Sequence, residues 1–259
     1  MKNFKDVFNS HNDRKVIKWS HYLDIYEKLF IPFKDKEIKL LELGVMYGGS
    51  LQLFKKYFEK GHIYGIDIYK ECLEYQEPRI QIDIGSSNDK SFLTNFSKLN
   101  GNFDIIIDDA SHRMSHQINA FETLFPFLNS GGIMIIEDVH TSYWLDYGGG
   151  YKRKGTFIEY SKNLIDLLNS QYSEQSSFKT NYYSSNIFSL TFYDSIVVIE
   201  KSIRKSDSYT MERGDIKVKP RQSINHKIKI SIWFPFALKV LRLFEKILQY
   251  LRLKSLFFK

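Results

Sequence analysis

The sequence has one cysteine, Cys72, among 259 residues. An intrachain disulfide is thereby excluded and a reducing compartment is expected. No apolar run is long enough to cross a bilayer, because Lys239, Arg242, Glu245 and Lys246 interrupt the hydrophobic stretch 240–251. Residues 1–18 are polar and charged, unlike a secretory leader, so the expected location is the cytoplasm, with attachment to the inner face of the membrane open. The first 201 residues also lack an excess of positive charge. They carry 23 Lys and Arg against 26 Asp and Glu, a net of −3, whereas 202–259 carry 14 against 4, a net of +10. The overall charge of +7 is therefore a property of the tail. A mildly acidic body argues against a basic nucleic-acid groove, and no nucleic-acid partner is expected, although a basic appendage can deliver an enzyme to RNA.

What is present is enough apolar content, 43%, for one α/β domain of ordinary size. We divide the chain into a catalytic domain at 1–201, a basic linker at 202–230 and an amphipathic helix at 231–259. In the last segment Val240, Leu241, Phe244, Ile247, Leu248 and Leu251 recur at helical spacing opposite Lys239, Arg242, Lys246 and Arg252. Membrane-surface docking and burial against another subunit in a homo-oligomer both fit that pattern. Trp233, Phe257 and Phe258 beside the cations favour the membrane surface.

The stretch LLELGVMYGGS, residues 40–50, reads as a buried strand, a glycine-bearing turn and the start of a helix carrying Leu51, Phe54, Tyr57 and Phe58. Its spacing differs from the Gly-x-Gly-x-x-Gly of pyrophosphate-binding folds. It resembles instead the first motif of class I S-adenosylmethionine (SAM)-dependent methyltransferases. A second strand over 63–68 ends near Asp67, where an acid can accept hydrogen bonds from both ribose hydroxyls of a bound nucleoside. A third, from Ile80, breaks at Gly85, and Asp83 and Ser86 are both candidates for the adenine edge. With Gly44, Gly48 and Asp67 we count Glu42, Ser50 and Asp108, which flank the same strand ends, as cofactor-binding.

Two further strands, 102–107 and 133–136, end in Asp108-Asp109 and Glu137-Asp138. Neighbouring strands lie about 5 Å apart, so Asp109, Glu137 and Asp138 can share one hard cation, Mg²⁺ or Mn²⁺. His112 and His116 form an i, i+4 pair that could ligate zinc, but Arg113 stands where a His-Glu-x-x-His protease has its glutamate. We place His116 with the acceptor instead. His140, just past the acids, either approaches the metal or is solvated. Residues 141–155 read as a loop whose Tyr143, Trp144 and Tyr147 offer flat faces to a sugar ring, and whose Lys152, Arg153 and Lys154 suit a nucleotide-sugar phosphate; a solvated loop is the alternative.

The strings LLELGVMYGGS, IYGIDI, IIIDDASH, GGIMIIEDVHTSYW and FYDSIVVIEK, with the opening WSHYLDIYEKLF, resemble the metal-dependent sugar O-methyltransferases that act on macrolide deoxysugars and bacterial surface glycans. The resemblance spans about residues 18–201. It implies an α/β, Rossmann-like seven-stranded class I methyltransferase fold, SAM as cofactor, a divalent metal on Asp109, Glu137 and Asp138, and His112 as general base. Ala110 departs from the glycine common in the family, which stiffens the turn before His112. The chemistry agrees: a sugar hydroxyl is a poor nucleophile at neutral pH, so a metal that lowers its pKa and an imidazole that takes its proton are what methyl transfer needs. The expected function is methylation of a sugar, free, nucleotide-activated or glycan-linked, in surface polysaccharide biosynthesis. The rivals are a methyltransferase of another small molecule or of RNA, and a non-catalytic tethering module.

Overall fold

Apolar runs without alternation mark strands covered on both faces. Such runs form the centre of the sheet in the computed structural model, which describes residues 3–175, 177–203 and 210–214, with single positions between 239 and 247. Strands β1 (Lys39–Leu43), β2 (His62–Asp67), β3 (Ile80–Ile84), β4 (Phe103–Asp108) and β5 (Leu128–Ile136) are parallel, and β7 (Ile196–Lys201) runs antiparallel between β5 and β6 (Ile187–Tyr193). The order is β3-β2-β1-β4-β5-β7-β6, the seven-stranded sheet of class I methyltransferases. The chain moves outward from β1 to β3 and returns to β4, beside β1. The strand order therefore reverses between β1 and β4, and a ligand crevice is expected outside their carboxyl ends.

Helices cover both faces. On one side α1 (Phe4–Asn9), α2 (Tyr22–Phe30) and α3 (Gly49–Tyr57) pack on the sheet. There Phe4, Tyr26, Phe30 and Phe54 form one aromatic cluster, with the Tyr26 and Phe30 rings stacked at 4.8 Å. On the other side lie α4 (Lys90–Asn100), α5 (Met114–Leu124) and α6 (Phe157–Asn169), centred on Phe103, Phe121, Phe125 and Phe157, while the short α7 (Tyr182–Asn186) leads into β6. Each fully buried ring of this kind stabilises the fold by about 1.5–3 kcal/mol.

One strand is longer than expected. β5 begins at Leu128 and not at 133, so Gly131-Gly132 lies inside it, where the register with β4 shifts between Phe103 and Ile105. A side chain at Gly132 would begin 2.8 Å from the Asp104 carbonyl oxygen, so the irregularity needs a residue without one.

Between α1 and α2 the chain crosses the β1–α3 turn as a strap. It passes so close to Gly49 that a Cβ there would sit 2.3 Å from the Lys15 carbonyl oxygen. Arg14 fixes the strap: its amide donates to Gln52 Oε1 (3.2 Å), and its guanidinium donates to the Tyr75 carbonyl (2.7 Å) and pairs with Glu77 (3.5 Å).

The chain divides into two units, Met1–Asp207 and Ser208–Lys259. In the second, positions 239–241, 243, 244 and 247 are helical. The rest of the expected amphipathic helix, and most of the expected linker, lie outside the described residues. Among the described residues no helix is long and apolar enough to cross a membrane.

Candidate active site

The carboxyl ends of β1, β2 and β4 enclose a crevice of about 880 Å³, roofed by strap residues 15–18. Its floor is the glycine turn. Gly44 has φ +94°, and a Cβ on it would lie 2.2 Å from the Asp109 carbonyl oxygen, so this glycine lets the β1 and β4 ends approach. Gly48, at φ +73°, starts α3. Asp67 holds the turn in shape: Oδ2 accepts from the amides of Val45 (2.8 Å) and Met46 (3.0 Å), and Oδ1 accepts from Tyr69 N (3.0 Å). A carboxylate has about four acceptor positions. Oδ1 therefore has room for one ribose hydroxyl, not the pair expected from sequence.

The structure separates the remaining cofactor candidates. Ser86 lines the crevice, whereas Asp83 does not and accepts from Gln81 Nε2 (2.9 Å) on the exposed side of β3. Glu42 is not a crevice residue. It is fully buried under the turn, where Ser50 Oγ donates to its Oε2 (2.5 Å). Ser50 lines the crevice wall, but its hydroxyl is engaged by Glu42. Asp108 also points away from the crevice, 2% exposed, its Oδ1 accepting from Ala110 N (3.3 Å). Alternation along β4 explains this, since Asp108 and Asp109 must face opposite ways.

At the crevice mouth the acids meet a residue that sequence reasoning missed. Lys18, whose side chain is 4% exposed, places Nζ 2.5 Å from Asp109 Oδ2, 2.6 Å from Glu137 Oε1 and 3.8 Å from Glu42 Oε1. Burial alone would lower its pKa, but Asp109, Glu137, Tyr26 and Glu42 together raise it above the ordinary lysine value. Tyr26 also donates to Glu137 Oε1, and Gln117 Nε2 donates to the Glu137 carbonyl (3.0 Å). Burial, with Asp109 adding to it, pushes the Glu137 carboxyl up to about 8 against the opposing pull of Lys18.

Asp138 lies on the crevice side. Its Oδ1 accepts from Tyr22 OH (2.7 Å), and its Oδ2 lies 3.5 Å from His112 Nε2, which is 4.0 Å from Asp109 Oδ1. Both His112 and Asp138 have φ +53°, a left-handed conformation uncommon in non-glycine residues, though less so for aspartate and histidine. Their ligand atoms and that of Asp109 all lie within 4.8 Å of one another. The two carboxylates suit a hard divalent ion that keeps water ligands, with the His112 imidazole beside them as a proton acceptor. Glu137, expected as the third acid, sits behind this group on Lys18. His112 Nδ1 is buried without a hydrogen-bond partner, so Nε2 is the nitrogen that faces the cluster.

The expected acceptor residues part company. His116 lines the cofactor crevice, its Nδ1 2.7 Å from Ser111 Oγ. Tyr143 borders a separate hollow of about 510 Å³ with Phe192 and Tyr193. Trp144 and Tyr147 belong to a string of rings that runs from His112 through Tyr147 (6.4 Å), Trp144 (5.8 Å) and His140 (4.8 Å) to Trp19 (6.1 Å). The segment after β5 is thus folded, with helical turns at Val139–Tyr143 and Leu145–Tyr147. Sequence offered a weak signal for Tyr22 and Tyr26, which share a helix face at i, i+4, and none for Lys18.

Glu42 gives the site a pH signature. Burial, then Asp109, raise its pKa to about 8 although Lys18 opposes them. The folded protein then holds a proton that the unfolded chain, with a glutamate value of about 4.3, has lost. Its stabilising contribution is complete below that lower value and fades as pH rises to about 8. In chelator, the melting temperature should fall between about pH 6 and pH 8, and Glu42→Gln should flatten that fall. Equal slopes for wild type and variant would refute this.

Residues 41–139 match a family model described as a methyltransferase domain. The 8-demethyl-8-alpha-L-rhamnosyl tetracenomycin-C 2'-O-methyltransferase of Streptomyces olivaceus is 34% identical over 195 residues, covering 71% of this chain and 51% of that protein. Mycinamicin VI 2''-O-methyltransferase of Micromonospora griseorubida is 34% identical over 187 residues, covering 68% and 47% respectively. The MycE methyltransferase from the mycinamycin biosynthetic pathway, solved with Mg, S-adenosylhomocysteine (SAH) and mycinamycin VI, is similar with a TM-score of 0.73 at 29% identity, covering 89% of this chain and 60% of that one. The chain spans about half the length of the curated relatives it matches. By motif order, sheet topology and sequence similarity the chain has the class I methyltransferase fold, carries a methyltransferase domain over residues 41–139, and is similar to sugar O-methyltransferases.

Proposed function

We propose that this chain transfers a methyl group from SAM to a sugar hydroxyl with the help of a divalent metal. The observation that carries this reading is one continuous crevice with the Asp67-braced glycine turn at one end and the convergent donors of Asp109, His112 and Asp138 at the other. Asp109 and Asp138 would hold the metal, Mg²⁺ or Mn²⁺, with Glu137 as the third acid. When bound, the sulfonium offers an activated methyl and the metal lowers the pKa of an oxygen ligand.

The protein's own residues do the rest. Asp67 Oδ1 and the glycine turn fix the ribose, with Ser86 toward the adenine. His112 accepts the hydroxyl proton at Nε2, and Asp138, 3.5 Å away, stabilises the imidazolium that results. Strap residues 15–18 complete the lining of the crevice beside the glycine turn. Trp19, Trp144 and Tyr147 offer flat faces beside the donors, suited to the apolar face of a deoxysugar. Similarity to enzymes named for rhamnosyl and macrolide acceptors supports a 6-deoxyhexose, and the resemblance to surface-glycan enzymes supports a polysaccharide or nucleotide-sugar setting for it. The basic excess of 202–259 supports attachment to an anionic membrane surface or to another subunit.

The test is incubation with methyl-labelled SAM, Mg²⁺ and a panel of rhamnosides, free and nucleotide-linked. The label should move to sugar oxygen with release of SAH, and calorimetry should show SAH binding. Binding of a nicotinamide dinucleotide with no response to SAH would overturn the assignment.

A further inference from the structure

Lys18 joins parts of the molecule that the proposed reaction uses separately. It is the last residue of the strap segment lining the cofactor crevice, and its ammonium lies among three acids, Glu42 inside β1 and Asp109 and Glu137 just past the ends of β4 and β5. Two of these, Asp109 and Glu137, are acids assigned to the metal. A buried lysine is costly unless it is paired, and this ammonium donates to Asp109 Oδ2 at 2.5 Å and to Glu137 Oε1 at 2.6 Å. The cluster likewise needs a cation, because Asp109, Glu137 and Asp138 are consecutive or neighbouring carboxylates that repel one another when ionised. The strap reaches the site by specific contacts: Arg14 on Tyr75 and Glu77, and Lys15 against Gly49.

We propose that Lys18 is the built-in counter-cation of this carboxylate cluster, a positioning residue that competes with a divalent metal for Asp109 and Glu137 and so makes closure of the strap over the cofactor crevice respond to metal. The proposal rests on the reading that these acids hold a metal. Without metal, Lys18 pins the strap to the strand ends and keeps the two acids in place. A divalent ion that takes Asp109 and Glu137 releases the ammonium, and the strap loses the ion pairs that fix Lys18 to the strand ends.

The experiment is calorimetry of Mn²⁺ and, separately, of SAH on the full chain as wild type, Lys18→Met and Lys18→Arg, with circular dichroism to show folding. Removing the competing charge should tighten Mn²⁺ binding by about tenfold or more, while SAH binding weakens because the strap loses its anchor. Lys18→Arg, which keeps the charge, should stay near wild type in both. A loss of structure would weaken both ligands, so opposite signs distinguish the proposed role from a structural one. Unchanged or weaker Mn²⁺ binding in folded Lys18→Met overturns the proposal. Should that variant not fold, wild-type protein decides: trypsin should cut after Arg14 and Lys15 faster in Mn²⁺ than in chelator, and equal rates overturn the proposal. Wild type that binds no Mn²⁺ removes the metal reading and the competition with it, whereas Mn²⁺ binding that ignores Lys18 removes the competition only.

Discussion

Replacing His112 with alanine is expected to slow methyl transfer by about 10² to 10⁴-fold, the range for loss of a general base. SAH affinity should change little. The imidazole Nε2 lies at the crevice mouth, 3.5 Å from Asp138 Oδ2, whereas the turn held by Asp67 is at the ends of β1 and β2. The local fold should survive, because Thr141 Oγ1 donates to the main-chain carbonyl of His112 (3.1 Å), a bond that does not need the ring. Steady-state rates and SAH calorimetry on the same preparation check this. If SAH affinity and melting temperature both fell with the rate, His112 would be holding the structure, and the proton would leave by another group.

Excess chelator should abolish turnover, and Mg²⁺ or Mn²⁺ should restore it. Asp138→Asn should cost about 10² to 10³-fold at saturating SAM, corresponding to the several kcal/mol that charge stabilisation by a metal supplies. Asparagine keeps an oxygen for the Tyr22 hydroxyl, which now donates to Asp138 Oδ1 at 2.7 Å, so the variant removes charge with little change of shape. Raising Mg²⁺ should recover part of the lost rate. A variant with full activity in chelator would take Asp138, and with it Asp109, out of the chemistry.

The legible parts of this fold are those in which the signal is local. Leu40, Leu41 and Leu43, interrupted only by Glu42, and the unbroken run Ile105 to Ile107 form β1 and β4 at the centre of the sheet. Gly44 and Gly48 stand out because few residues can adopt the conformations they hold, at φ +94° and +73°. Glu137 and Asp138 follow a buried strand directly, and a parallel sheet brings such ends to one edge.

Side-chain direction was legible only in part. Period-two alternation sends Asp108 inward once Asp109 faces the crevice, but the register that makes Ser86 and not Asp83 a lining residue depends on where β3 stops. Glu42 lies in the strand interior and faces α3 and Lys18, so proximity to the glycine turn in sequence did not place it in the cofactor pocket.

By itself, then, the sequence determined the parallel sheet, the glycine turn, the acid-tipped strands and His112 beyond Asp109, because hydrophobic period, backbone conformation and the strand-end rule act within a few residues. The partners of those acids come from long-range packing. Lys18, Tyr22 and Tyr26 reach Glu137 and Asp138 across separations of 119, 116 and 111 residues. No local pattern encodes such contacts: they form when α2 buries Tyr26 and Phe30 against α3 and the sheet, and that packing carries the strap, with its lysine, over the strand ends.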